Sequence, residues 1–131
     1  MKITQESDYA LRIIQFLSIN EESTVGASII AEKQKVPLRF ALKILRKLNA
    51  AGLTKAYRGV SGGYSLAKSP ETISYKDVIV AIEGDIYLNK CIADKSGCTR
   101  DASEKCPMHK KLVKIQQLLD KELESAKFDD N

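Results

Sequence analysis

The stretch VPLRFALKILRKLNAAGLTKAYRGVSGGYSLAK, residues 36–68, restricts the fold more than any other part of the chain. Pro37 suits a first helical turn, where a missing N–H costs nothing. Beyond it Phe40, Ala41, Ile44, Leu45 and Leu48 recur at helical spacing as one apolar stripe. Arg39, Lys43, Arg46 and Lys47 fall mostly on the other side, and Gly52 supplies a C-terminal stop. Alternating residues then mark two short strands, 53–57 and 64–67. Between them Arg58-Gly59-Val60-Ser61-Gly62-Gly63 forms a tip whose glycines permit positive φ angles. A helix with a basic outer face followed at once by a hairpin describes a recognition helix and its wing. A nucleotide-phosphate loop is excluded, because the spacing GxxxxGK[ST] is absent and no helix opens behind the glycines.

The residues before this stretch supply the rest of a helix-turn-helix. In 8–20, Ala10, Leu11, Ile14 and Leu17 share a helical face, with Ser7 or Asp8 as the expected cap. Thr24 to Gln34 reads as a second, short helix with Ile29, Ile30 and Ala31 on its apolar side. Charge sharpens the reading. Lys33 to Pro70 carries nine basic residues and no Asp or Glu. The rest of the chain holds 12 of the 21 bases against all 17 acids. A basic block in an otherwise acidic chain points to a polyanion partner, double-stranded DNA. The alternative is a solvated basic face.

On that reading the helix from Pro37 enters the major groove. Arg39 and Lys43, near its start, are placed to reach base edges. Arg46, Lys47 and Lys55 are placed for phosphates. Arg58 at the base of the wing suits a narrow minor groove. Ser61 in the tip completes the candidate DNA contacts with Tyr64, for which packing of the wing is the stronger expectation.

Residues 74–83 form a further amphipathic helix with Val78, Ile79 and Ile82, ended by Gly84. After it comes CIADKSGCTRDASEKCPMH, which holds all three cysteines and the one histidine of the chain. This loop has almost no apolar content to fold it, so a bound centre is the economical way to hold it. Cys106 precedes Pro107 and so sits at the expected start of a long helix, where amides and dipole favour a thiolate. His109 follows on roughly the same side. Thiolates with an imidazole are soft ligands, suited to zinc or an iron–sulfur cluster and not to magnesium or calcium. The spacing Cys91-x6-Cys98-x7-Cys106 lacks the CxxC pairs usual for structural zinc. The wide gaps favour an iron–sulfur cluster. A Cys3His zinc site and redox-active or free thiols stay open.

From Pro107 to about Lys127 a single long helix is expected. Met108, Leu112, Ile115, Leu119 and Leu123 make its seam, widened by Val113 and Leu118. Pairing with a second copy of the chain covers such a helix, and folding back on its own domain is the alternative. The tail FDDN is expected to fray. The fold class is therefore mainly α: a winged helix-turn-helix with a two-stranded β wing and a long C-terminal dimerisation helix. The expected organisation is a DNA-binding domain over 1–84, a cysteine-rich loop over 85–106, and the dimerisation helix with tail over 107–131. No apolar run approaches the roughly 20 residues of a membrane span, and the start MKITQESDYALRII is unlike a secretory leader. The expected location is the cytoplasm. A thiol oxidoreductase is disfavoured, since there is no CxxC and His109 has no evident catalytic partner.

These stretches together resemble the IscR/NsrR/RirA family of bacterial transcriptional regulators. The matching segments are ITQESDYALRII, VPLRFALKILRKLNAAGL, RGVSGGYSLAK and the cysteine loop. The resemblance implies a homodimer that binds a palindromic operator, represses or otherwise regulates transcription, and carries a [2Fe–2S] or [4Fe–4S] cluster on Cys91, Cys98 and Cys106. Such a cluster responds to its own supply, iron, redox state or nitric oxide. It also implies two candidates for the fourth ligand. His109 matches the histidine of the IscR pattern. Asp8 matches the N-terminal aspartate of the NsrR pattern, which reaches in from the partner subunit. The gaps of six and seven depart from the IscR spacing toward RirA-like loops. Relatives such as CymR lack these cysteines.

Overall fold

The computed structural model describes residues 2–100 and 103–129. Helix α1 spans Gln5–Ile19, α2 Ala27–Gln34 and α3 Leu38–Ala50. Strands β1 (Thr54–Tyr57) and β2 (Gly63–Leu66) pair antiparallel, with Thr54 opposite Leu66 and Tyr57 opposite Gly63. A 3-10 turn at Pro70–Thr72 leads into α4, Tyr75–Glu83. The cysteine segment contains a one-turn helix α5, Lys90–Ala93, and 3-10 turns at Lys95–Gly97 and Ser103–Lys105. Helix α6 runs from Pro107 to Ser125. The mainly helical fold with a two-stranded wing is as the sequence leads one to expect.

The core is aliphatic and centred on α1. Ile13, Ile14 and Leu17 of α1 meet Ile30 of α2, Ile44, Leu45 and Leu48 of α3, and Val78 of α4, all fully buried. The stripes of α1 to α4 seen in the sequence are mostly the buried faces, but Ile29 of α2 and Phe40 of α3 are exposed. Phe40 is 37% exposed and lies beside Tyr9 of α1 at 6.4 Å between ring centroids.

Boundaries differ from expectation where distant contacts override local signals. Helix α1 begins earlier, capped by Thr4, whose hydroxyl accepts from the Ser7 amide at 3.2 Å. Ser7 itself is buried inside the first turn and donates its hydroxyl to Glu83 at the end of α4. Asp8 pairs with Arg12 at 2.7 Å. Helix α2 starts only at Ala27, because Val25 is drawn into the wing. Its amide donates to the Tyr64 carbonyl at 2.9 Å and its carbonyl accepts from the Tyr64 amide at 2.8 Å. Lys35 ends α2 in the left-handed conformation, φ 57°, and lets the chain turn sharply into α3.

The tail is docked through Phe128. Phe128 is 2% exposed, stacks on Tyr75, and belongs to the main core. The Tyr75 amide donates to the Ala126 carbonyl at 2.9 Å, and Ser74 and Lys127 form a β-bridge. The expectation of a frayed FDDN is corrected for Phe128, since burial of one aromatic ring outweighs the polarity of its neighbours. Asp130 and Asn131 lie outside the described residues.

Helix α6 is folded back along α4 through part of its seam. Lys76 holds Glu124 at 2.9 Å across that contact. Gln116 is the buried residue of α6. Met108, Ile115 and Leu118 remain 53%, 50% and 57% exposed.

Candidate functional site

Two regions carry the residues singled out from sequence. The first is the outer face of α3 with the wing. Arg39 is exposed in the first turn of α3, its guanidinium 5.0 Å from the Phe40 ring centroid. Lys43 is exposed one turn on, its ammonium 3.8 Å from Glu6. Arg46 is exposed beside it. Lys47 is turned inward: its ammonium donates to Glu6 at 2.9 Å and to the Ile82 carbonyl at 3.3 Å. Lys55 lies on the exposed side of β1. Arg58 and Ser61 lie exposed in the wing tip. Tyr64 is half-buried and packs against the core.

The wing is braced from outside its two strands. The Thr24 hydroxyl donates to the Ser61 carbonyl at 2.9 Å, and the Val25–Tyr64 bridge adds a third rung. At Gly63, φ is +149°, and an added Cβ would lie 2.7 Å from the Val25 carbonyl carbon and oxygen. Glycine is required there by both conformation and space. No local signal in the sequence marks Thr24 or Val25, since their partners lie far along the chain.

The second region is the cysteine segment. Asn89 caps α5 by accepting from the Lys90 amide at 2.8 Å, and Asp94 caps the next turn by accepting from the Ser96 amide at 3.0 Å. These short caps give a polar loop local order without a core. Cys91, Cys98, Cys106 and His109 all line one cavity of about 220 Å³, together with Asn89, Thr99, Arg100 and Met108. Cys91 and Cys106 are buried. His109 Nδ1 lies 3.0 Å from Cys91 Sγ. Arg100 donates to Cys106 Sγ at 3.2 Å.

Cys106 is the N-cap of α6. Its thiol is drawn below the ordinary value chiefly by the backbone amide of His109. Burial opposes this, and the Met108 amide and the Arg100 charge assist. A thiolate is the form that ligates metals. Asp8 lies on α1, paired with Arg12, and is absent from the cavity lining.

Three thiols and an imidazole facing one cavity fit a soft-metal centre. They are not pre-gathered for one ion: among the described residues no three His, Cys, Asp or Glu side chains form a group that could hold a metal ion. A tetrahedral zinc site would bring sulfur ligands within about 3.8 Å of each other.

Gln116 connects this region to the rest of the fold. Its side-chain amide donates to the Ile86 carbonyl at 2.9 Å and to Asp120 at 3.1 Å, and its carbonyl oxygen accepts from the Leu88 amide at 2.8 Å. The sequence does hold a signal for it. Positions 112, 116, 119 and 123 keep helical spacing, so a polar residue at 116 stands within an apolar row.

The pattern shared by the Rrf2 family, described as iron-dependent transcriptional regulators, matches residues 3–130. The chain belongs to the Rrf2 family. A Synechocystis relative assigned as an HTH-type transcriptional regulator is 37% identical over 84 residues, 63% of this chain and 57% of its own length. The NsrR regulator of Bacillus licheniformis is 33% identical over 100 residues, 75% of this chain and 70% of its own. Among solved structures, CymR, the global cysteine regulator of B. subtilis, superposes with a TM-score of 0.82 at 26% identity, covering 99% of this chain and 95% of CymR. Rrf2 proteins are regulators of transcription and not enzymes, in line with the lack of a catalytic constellation in the sequence. No helix among the described residues is long and apolar enough to cross a membrane.

Proposed function

We propose that this Rrf2 protein is a homodimeric DNA-binding regulator of transcription whose cysteine segment senses through an iron–sulfur cluster. The observation that carries the reading is the single cavity shared by Cys91, Cys98, Cys106 and His109. Bound there, a cluster of [2Fe–2S] or [4Fe–4S] type supplies a centre whose charge and ligation change with iron supply, redox state or nitric oxide. The three cysteines are its ligands and His109 the fourth, since His109 reaches the cavity from the same chain. The second candidate, Asp8, would have to come from a partner subunit. The wide gaps between the cysteines, without a CxxC pair, support a polynuclear group over a single zinc ion.

The residues of the chain divide the work. Arg39 and Lys43 on α3 read base edges in the major groove, while Arg46 and Lys55 take phosphates and Arg58 enters the minor groove. Ser61 and Tyr64 hold the wing in shape. The exposed Met108, Ile115 and Leu118 of α6 meet a second copy, so that two reading heads face a palindrome in the cytoplasm. Cys91 on α5 and Cys106 at the head of α6 share one centre, so its loss frees these elements from each other.

Anaerobic purification with an absorption spectrum and iron, sulfide and zinc counts on one sample tests the sensing reading. Iron and sulfide in equal amounts, bound in the wild type and lost in Cys98→Ser and His109→Ala, are expected. Zinc alone, or no metal after reconstitution with iron and sulfide, overturns the cluster. The cysteines would then form a zinc site or a thiol switch. A salt-dependent binding assay on duplex DNA tests the rest.

A further inference from the structure

Among the described residues, Glu6 is the acid whose ion pairs reach α3. It sits in the first turn of α1, yet its carboxylate faces the basic helix α3. Lys47 meets it at 2.9 Å and Lys43 at 3.8 Å. The two lysines are not equivalent. Lys47 also donates to the Ile82 carbonyl in the last turn of α4, where a helix end favours a cation. Its side chain is 34% exposed, and it is fixed from two sides. Lys43 has only the longer contact, and its side chain is 54% exposed. No carboxylate is paired with Arg39, Arg46, Lys55 or Arg58 in the ion pairs found among the described residues.

We infer that Glu6 is a specificity-determining counter-ion: it anchors Lys47 within the fold and holds Lys43 back from indiscriminate phosphate contact. The inference rests on the reading that α3 is the DNA-binding helix. Glu6 and a DNA phosphate compete for the same ammonium of Lys43. Non-specific binding is almost wholly a matter of such phosphate contacts and counter-ion release. A base edge presenting two acceptors in fixed geometry offers Lys43 more than a lone phosphate does, so exchange away from Glu6 favours the right sequence. One carboxylate thereby lowers the affinity for arbitrary DNA more than the affinity for an operator. Glu6 acts through Lys43 and is a positioning residue, without contact to DNA of its own.

The test uses the full-length protein and a random-sequence duplex, with affinity measured across salt concentrations. Glu6→Gln keeps the side-chain shape and removes the charge. It is expected to tighten binding to random DNA about five- to tenfold near 0.1 M salt and to steepen the slope of log K against log salt by about 0.9. Glu6→Asp, which restores a carboxylate, should return the slope toward that of the wild type. In a Lys43→Gln background, Glu6→Gln should change neither quantity. Equal slopes for wild type and Glu6→Gln overturn the inference, as does a gain that survives in the double variant. Wild-type protein that shows no salt-dependent DNA binding overturns the underlying reading, and the inference falls with it.

Discussion

The ring of Phe128 stacks on that of Tyr75 with 4.8 Å between centroids and 23° between planes. One ring belongs to the segment after α6 and the other to the first residue of α4. The contact therefore pins the far end of the long helix to the winged-helix core. Truncation of a buried Phe costs about 3–5 kcal/mol through lost transfer energy and the cavity left behind. Phe128→Ala is expected to lower the unfolding free energy by that amount in a urea titration. Phe128→Leu should cost much less. A loss under about 1 kcal/mol for Phe128→Ala would show that the tail is undocked in solution.

Gln116 holds the chain where it enters the cysteine segment. Gln116→Leu leaves the Leu88 amide and the Ile86 carbonyl without their partner, at about 1–3 kcal/mol per buried group left unsatisfied. The expected outcome is destabilisation in that range with faster amide exchange at Leu88. Unchanged exchange there would show that the clamp does not order the segment.

The wing should be sensitive to one methyl group. Gly63→Ala forces a Cβ against the Val25 backbone at a φ angle that L-residues rarely adopt. Loss of the Val25–Tyr64 rung is expected, seen as faster exchange of the Val25 amide, with weaker DNA binding. The α1 and α4 core should melt almost as before, because the strain falls on the hairpin and the Val25 segment beside it.

The basic residues should separate by their salt dependence. Arg46→Ala and Lys55→Ala are each expected to reduce the magnitude of the salt slope by about 0.9, one phosphate contact apiece. Arg39→Ala should cost about 1–3 kcal/mol on a preferred sequence and relax the choice of base. Lys47→Met should leave the slope nearly unchanged and lower stability, since its ammonium is engaged with Glu6 and Ile82. A slope loss equal to that of Arg46→Ala would place Lys47 on the DNA.

Periodicity made the reading head legible. The stripe through Ile44, Leu45 and Leu48 and the glycines of the wing are local signals, and local physics decides those elements. What stayed hidden depends on partners distant in sequence. Ser7 looks like a cap until Glu83 is seen to receive its hydroxyl. Val25 looks like a helix start until Tyr64 is seen beside it. Phe128 is a lone aromatic in a polar tail, and no pattern within the tail says which surface it covers. At the cysteine segment the four residues that line one cavity stood out in the sequence, because three thiols and one histidine gathered in one loop are rare in this composition. The segment's local order did not, since it comes from the caps Asn89 and Asp94 instead of an apolar face.

The hydrogen bond from the Tyr75 amide to the Ala126 carbonyl has a consequence for how such a protein diversifies. The described residues of 84–125 add nothing to the main core and are brought back to it beside α4 by this hydrogen bond, the Lys76–Glu124 pair and the Tyr75–Phe128 stack, like a handle fixed to a tool near one end. Mutation can lengthen, shorten or re-equip the handle without disturbing the head it is fastened to. One winged-helix body can in this way keep its packing while the cysteine segment changes.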